Sequence, residues 1–421
     1  MSDPGLNAPR LRSAIAAVDL ACTLEHPADA VLREFFRSHR EIGSHDRGFV
    51  AESVFTVLRH KRLLEAIVPS PSPRRLILAA LVKLQGQSIG AIGNLLQPGD
   101  KDWLAAVKQA DIASLPMAVR LSLPDWLWTR LCAQTGESEA VALGRALLIP
   151  APLDLRVNPL MTNRDEALRQ LAASSIEAAP TPYSPLGIRL AGKPPINAHP
   201  LFKSGAVEVQ DEGSQLLGFL LAPKRREMVV DFCAGAGGKT LLLGALMQSQ
   251  GRLYALDVSE KRLNSLKPRL ARSGLSNVHP QRIASENDIK VKRLAGKIDR
   301  VLVDAPCTGL GTLRRNPDLK WRQSAGSAAE LAAKQKSILR SAATLLRAGG
   351  RLVYATCSLL QEENEAVVQA FLAERPDFRI VPAQTALDEQ RIAIESGELF
   401  RVSPHRHGTD GFFAAVLERK G

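Results

Sequence analysis

Two cysteines and an aspartate stand where a chain can deliver side chains to a ligand. In Asp304-Ala-Pro-Cys-Thr-Gly309 the acid and Cys307 follow the apolar run Val301-Leu-Val303. In Arg351-Leu-Val-Tyr-Ala-Thr-Cys-Ser358 a second apolar run ends in Cys357. Short apolar runs of this kind predict buried parallel strands. Ligands of open α/β sheets bind beyond the carboxyl ends of the strands, so both thiols and the acid are expected in one crevice. Paired thiols suit methylation of a pyrimidine at carbon 5, which is too electron-poor to attack a methyl donor unaided. A thiolate adding to carbon 6 turns the ring into an enamine-like nucleophile, which splits one hard step into easier ones. An acid beside ring nitrogen 3 stabilises the charge that develops there.

A second cluster, Cys233-Ala-Gly-Ala-Gly-Gly-Lys-Thr240, follows the apolar run Met228–Phe232 and opens an apolar helix. Gly235, Gly237 and Gly238 let a ligand approach the backbone, and a helix start offers unpaired N–H groups. The run ends in Gly-Lys-Thr, but a phosphate-binding Walker loop requires Gly at position 233, where this chain has Cys. Asp257 ends the next strand, twenty-two residues after Gly235, the spacing of an acid that binds a ribose diol. A nucleoside cofactor follows, with nicotinamide dinucleotide and S-adenosylmethionine both compatible. The thiols favour the second.

The elements that must position these groups form a regular alternation. From about residue 206 to 421, strands and helices alternate, which predicts a doubly wound, mostly parallel sheet of Rossmann-like type. Residues 1–150 carry helical apolar spacing, with Val50, Val54, Val57 and Leu58 marking one stripe, and predict an all-helical domain. That domain is either an RNA-positioning module or a packing bundle, since such stripes usually mark core. Between them, residues 151–205 hold the alternating Leu153–Asn158, a helix after Thr162, a returning strand at Gly187–Leu190 and six prolines between Pro180 and Pro200. They predict a small α/β subdomain or a linker with an ordered insert.

At 421 residues, 45% apolar and 23% charged, the chain has a globular composition. Its net charge of +12 favours polyanionic partners. The first 150 residues hold 17 Lys and Arg against 15 Asp and Glu, so the excess sits with the catalytic half. The five cysteines are widely spaced and never form Cys-x-x-Cys. This argues against disulfides or zinc and for a reducing compartment. No apolar run reaches membrane-spanning length, and Ala14–Leu24, interrupted by Asp19, lacks the features of a signal peptide. A cytoplasmic protein without metal or membrane partner, and monomeric, is expected.

Asp231–Thr240, Asp304–Gly309 and Tyr354–Ser358, with Gln210-Asp-Glu-Gly-Ser-Gln215 upstream and Asp410-Gly-Phe-Phe413 at the end, resemble the Fmu/Sun (nucleolar-protein) family of RNA cytosine-5 methyltransferases. The resemblance covers about residues 205–421 and implies S-adenosylmethionine as cofactor and RNA as substrate. It implies Cys357 as nucleophile, Cys307 as the thiol that assists release of methylated RNA, and Asp304 bordering both cofactor and base. Cys233, Ala234, Gly235, Ala236, Gly237, Gly238 and Lys239, with Asp257, would hold the cofactor. The front of the chain is similar to bacterial members that methylate 16S ribosomal RNA and carry a helical domain like the antitermination factor NusB; Ser44–Phe49 and Val57-Leu-Arg59 carry that likeness. The Leu155-Arg-Val-Asn158 strand resembles the start of the family's small RNA-binding subdomain.

The family loop usually reads Cys-Ala-Ala-Pro-Gly-Gly-Lys, and Gly235-Ala236 replaces Ala-Pro here, which removes a φ restraint but keeps the glycines and Lys239. The acid usually found near the adenine falls in Ala284-Ser-Glu-Asn-Asp288, with Asp288 taken for the role and Ser285 and Glu286 as alternatives. Arg314, Arg315, Lys320 and Arg322, interleaved with Trp321, suit a phosphate-tracking and stacking surface; Lys290, Lys292, Arg293 and Lys224-Arg-Arg226 extend it. Other readings stay open: a transfer RNA substrate, a DNA cytosine-5 methyltransferase in which Cys307 attacks, and a non-catalytic RNA-binding assembly factor.

Overall fold

The structure, a computed structural model, describes residues 7–421. The chain divides into two compact units: residues up to Pro150 together with Thr312–Ala325, and Ala151–Gly311 together with Gly326–Gly421.

In the second unit a four-stranded sheet comes first: β1 Leu153–Val157, β2 Ala178–Pro180, β3 Gly187–Leu190 and β4 Val207–Val209, in the order β2-β3-β1-β4. The large sheet follows with β5 Met228–Asp231, β6 Arg252–Asp257, β7 Val278–Arg282, β8 Ile298–Asp304, β9 Leu346–Thr356, β10 Phe378–Val381, β11 Phe400–Val402 and β12 Phe412–Arg419. Its order is β10-β12-β9-β8-β5-β6-β7, with β11 paired to β12. The pairs β6–β7, β5–β6, β5–β8 and β8–β9 are parallel, and β12 runs antiparallel to β9 and β10. This is the doubly wound arrangement the alternation predicts, closed by an antiparallel edge.

The apolar runs are continuous because both faces of the sheet are covered. Leu302, Val353 and Ala355 belong to the core on one face, while Val301, Val303, Leu352 and Tyr354 belong to the core on the other. The helix Ala325–Ala343 supplies Ile338, Leu339, Ala342 and Ala343 to the second core.

The helical unit is built on Ala8–Cys22, Ala28–Ser38 and Ser44–Ile67 with shorter helices after them. Its core includes Val50, Val54, Val57 and Leu58, the stripe marked in the sequence. The helix from Pro73 ends at Ala79 and continues as a π turn over Ala80–Leu84.

The segment Thr312–Ala325 departs from the expected basic and aromatic surface at Arg314, Lys320 and Trp321, while Arg315 is half-buried and Arg322 exposed. Trp321 packs on the helical core and donates its Nε1–H to the Leu58 carbonyl at 2.7 Å. Lys320 is buried, with Nζ donating to the Arg59 carbonyl at 2.7 Å. Burial, and then the charge of Arg59, pull its pKa well below the usual ammonium range. Arg314 is also buried and donates to the carbonyls of Ile149 and Pro150. These residues anchor a segment where the sequence suggests phosphate contacts, whereas Lys290, Lys292, Arg293, Lys224, Arg225 and Arg226 are exposed as expected.

Trp321→Ala removes an apolar contact and a hydrogen bond, and is expected to cost the helical unit roughly 2–3 kcal/mol. Thermal unfolding should show a lower midpoint. An unchanged midpoint with weaker RNA binding would restore the stacking-surface reading.

Candidate active site

The carboxyl ends of β5, β6, β8 and β9 converge on a cavity of about 410 Å³ whose lining includes Cys233, Asp257, Asp304, Cys307 and Cys357. Parallel pairing aligns Asp304 of β8 with Ala355 of β9. Each chain then runs on two or three residues to its cysteine, and the two sulfurs lie 3.4 Å apart. Phe232, Val258, Ile283 and Ile338 give the cavity apolar walls, with Asp257 and Glu286 among them. Flat apolar walls beside a carboxylate are the chemistry a nucleoside needs.

The glycine loop is held to this rim by its backbone. Gly235 N–H donates to Asp257 Oδ2 at 2.8 Å, and Ser259 N–H donates to Asp257 Oδ1 at 2.7 Å. Gly237 takes φ +84°, and a Cβ there would come within 2.1 Å of Leu266 Cδ1, so only glycine fits. Ala234, Gly235, Ala236, Gly238 and Lys239 border a second cleft of about 230 Å³ that shares Cys233 and Asp304 with the first. Arg269 donates to the Ala236 carbonyl at 2.7 Å, and the buried Arg156 donates to the Gly238 carbonyl at 2.7 Å and to Gln210.

Lys239 and Asp304 form an ion pair at 2.7 Å. Burial opposes charge on Lys239, but the Asp304 carboxylate outweighs it and a charged Cys357 adds to the effect, so the ammonium's pKa is raised. Its Nζ also lies 5.6 Å from the centre of the Phe412 ring, which ties the terminal Asp-Gly-Phe-Phe motif to the site. Burial pushes the Asp231 carboxyl up to about 7, against the hydrogen bond it accepts from Thr240 at 2.7 Å.

The thiols differ. Burial, followed by the charges of Asp304, Asp231 and Asp257, pushes Cys233 well up. Cys307 is also pushed well up, first by its hydrogen bond to Cys357, then by burial and by the charges of Cys357 and Glu363. The two sulfurs are close enough to share a hydrogen bond, and Lys239 stands by as a cation.

Asp288 requires correction. Its carboxylate accepts from Ala284 N–H at 2.7 Å and Lys290 N–H at 2.9 Å, capping the short helix Ile289–Lys292, and it does not line the cavity. Glu286 lines it instead, held by Lys334 at 2.7 Å and Ser337 at 2.6 Å. Ser285 turns its Oγ to the Asn287 N–H. Three further residues were not singled out from sequence: Arg156, Gln335 and Glu363. Each lies far along the chain from the group it contacts, a relation no local pattern carries. Among the described residues, no group of three or more His, Cys, Asp or Glu could hold a metal ion, and no helix is long and apolar enough to cross a membrane.

Residues 218–418 match the model for 16S rRNA methyltransferase RsmB/F, and residues 123–197 match the model for an RsmF/B-like, ferredoxin-like domain. A probable ribosomal RNA small subunit methyltransferase B of Synechocystis is 32% identical over 412 residues, covering 89% of this chain and 91% of that protein. One of Bacillus subtilis, with the same description, is 36% identical over 313 residues, covering 72% of this chain and 68% of its own. Among solved structures, PH0851 superposes with a TM-score of 0.82 at 27% identity, covering 99% of this chain and 100% of that one. A methyltransferase homolog from Pyrococcus horikoshii gives a TM-score of 0.63 at 29% identity, covering 74% of this chain and 100% of that one. With its glycine loop, acid-ended strands and paired thiols in this order, the chain belongs to the 16S rRNA methyltransferase RsmB/F family.

Proposed function

We propose that this protein is an S-adenosylmethionine-dependent RNA cytosine-5 methyltransferase that acts on 16S ribosomal RNA in the cytoplasm, through a covalent adduct between Cys357 and carbon 6 of the base. The observation that carries this reading is the 3.4 Å approach of the Cys307 and Cys357 sulfurs on the wall of the cavity that Asp257 and Asp304 also line. Bound S-adenosylmethionine supplies an electrophilic methyl group. The donor set fits it: apolar walls for an adenine, Asp257 for the ribose diol, Glu286 at the far wall, and the Cys233–Lys239 loop for the remainder.

A flipped cytosine would present carbon 6 to Cys357, whose sulfur lies 3.4 Å from that of Cys307; the attacking species is the thiolate. The Lys239–Asp304 ion pair would face the base edge where nitrogen 3 becomes negative. Once Cys357 is bonded to carbon, it no longer accepts a hydrogen bond as an anion, and the largest cause of the raised Cys307 pKa lapses. Cys307 can then give up its proton to solvent and take the one at carbon 5. Loss of that proton expels Cys357 and frees the product.

Two outcomes follow. Cys357→Ser should abolish methyl transfer, whereas Cys307→Ser should form product slowly and accumulate an RNA adduct visible on a denaturing gel; the reverse pattern would point to Cys307 as nucleophile. Asp257→Asn removes a charged acceptor, and calorimetry should show S-adenosylmethionine binding weakened roughly 30-fold, as expected for about 2 kcal/mol. An affinity within about threefold of wild type would take Asp257 out of the donor site.

A further inference from the structure

Glu363 lies in the short turn Gln361–Glu363 and is fully buried, with 0% of its surface exposed. Its carboxylate accepts from Thr308 N–H at 2.9 Å and from the Thr308 hydroxyl at 2.5 Å. It also accepts from the Ser358 hydroxyl, and from Gln335 Nε2 at 3.0 Å. Thr308 directly follows Cys307, and Ser358 directly follows Cys357. Gln335 donates as well to the carbonyl of Pro306, the residue before Cys307, at 2.9 Å. The Tyr354 hydroxyl, from the strand that leads to Cys357, donates to the Glu363 carbonyl at 2.6 Å.

All four donors to the carboxyl group are neutral, so any charge there is held in the interior without a cation among them. That is a costly arrangement, and an amide or hydroxyl could bridge two loops at lower cost. We propose that Glu363 is a positioning residue for the cysteine pair: its buried carboxylate ties the loop of Cys307 to the loop of Cys357 and fixes the distance between the sulfurs. This rests on the roles given to those cysteines above. The charge has a second effect, since Glu363 is among the causes that keep the proton on Cys307. Geometry and proton placement are thereby set by one side chain that touches neither sulfur's reaction partner.

Glu363→Gln keeps the size but puts a donor or a neutral acceptor where both the Thr308 and Ser358 hydroxyls donate to a carboxylate oxygen, so those two tethers must reverse or weaken. Iodoacetamide labelling of the full-length protein, read peptide by peptide as rate against pH, needs neither RNA nor methyl donor. Glu363→Gln is expected to lower the pH at which Cys307 reacts. In methyl transfer it should reduce kcat roughly tenfold or more with KM for S-adenosylmethionine unchanged. If this variant does not fold, the double variant Thr308→Val, Ser358→Ala, which removes the two hydroxyl tethers and keeps the carboxylate with its Thr308 N–H and Gln335 bonds, should show the same loss of kcat at constant KM. An unchanged Cys307 profile in folded Glu363→Gln, an unchanged kcat in the double variant, or failure of both to fold would each overturn the proposal. Methyl transfer surviving in Cys357→Ser would instead refute the nucleophile assignment, and the labelling profile would still decide the role of Glu363.

Discussion

Parallel pairing of β8 with β9 is the constraint on which the rest of this site depends. Neighbouring strands lie about 4.8 Å apart, and their register places Asp304 beside Ala355. Two chains leaving such a pair in the same direction arrive side by side, which is how residues fifty apart in sequence bring their sulfurs to 3.4 Å. The pairing is secured by burial on both faces, since Val301, Leu302, Val303, Leu352, Val353, Tyr354 and Ala355 are all 0% exposed. A slip of one residue would reverse every one of these side chains and turn the cysteines away from one another.

On that frame, the three thiols meet different charges. Burial, and then the charges of Asp304, Asp231 and Asp257, push the pKa of the inner thiol of Cys233 well up. Cys307 is held protonated by its partner sulfur and by burial. Cys357 alone has the Lys239 ammonium as a partner in charge. Burial, carboxylates and a lysine thus place three neighbouring thiols in different electrostatic surroundings.

Much of this was legible in the sequence, because strand ends carry local signatures. Apolar runs stopping at Asp304, Cys357 and Asp257 mark both a buried strand and the residue it delivers, and the fold rule places those ends together. What failed were inferences from composition. Lys320, Trp321 and Arg314 read as a basic, aromatic surface, yet Lys320 and Arg314 are buried and Trp321 half-buried in the helical unit, where backbone carbonyls satisfy them. Nothing local distinguishes a lysine that meets a phosphate from one that meets a carbonyl. Asp288 and Glu286 lie two residues apart, and the helix-capping bonds that draw Asp288 away from the cavity exist only once the turn has formed. Glu363 was invisible for the same reason, since its meaning lies in a partner more than fifty residues back.

The most direct test of the central claim is to trap the adduct on a 16S ribosomal RNA fragment carrying 5-fluorocytidine, whose carbon 5 has no proton to lose after methylation. Digestion and mass spectrometry then locate the modified cysteine. The account predicts a methylated fluorocytosine bonded to the peptide containing Cys357. An adduct on the peptide containing Cys307, or no donor-dependent adduct at all, would contradict it.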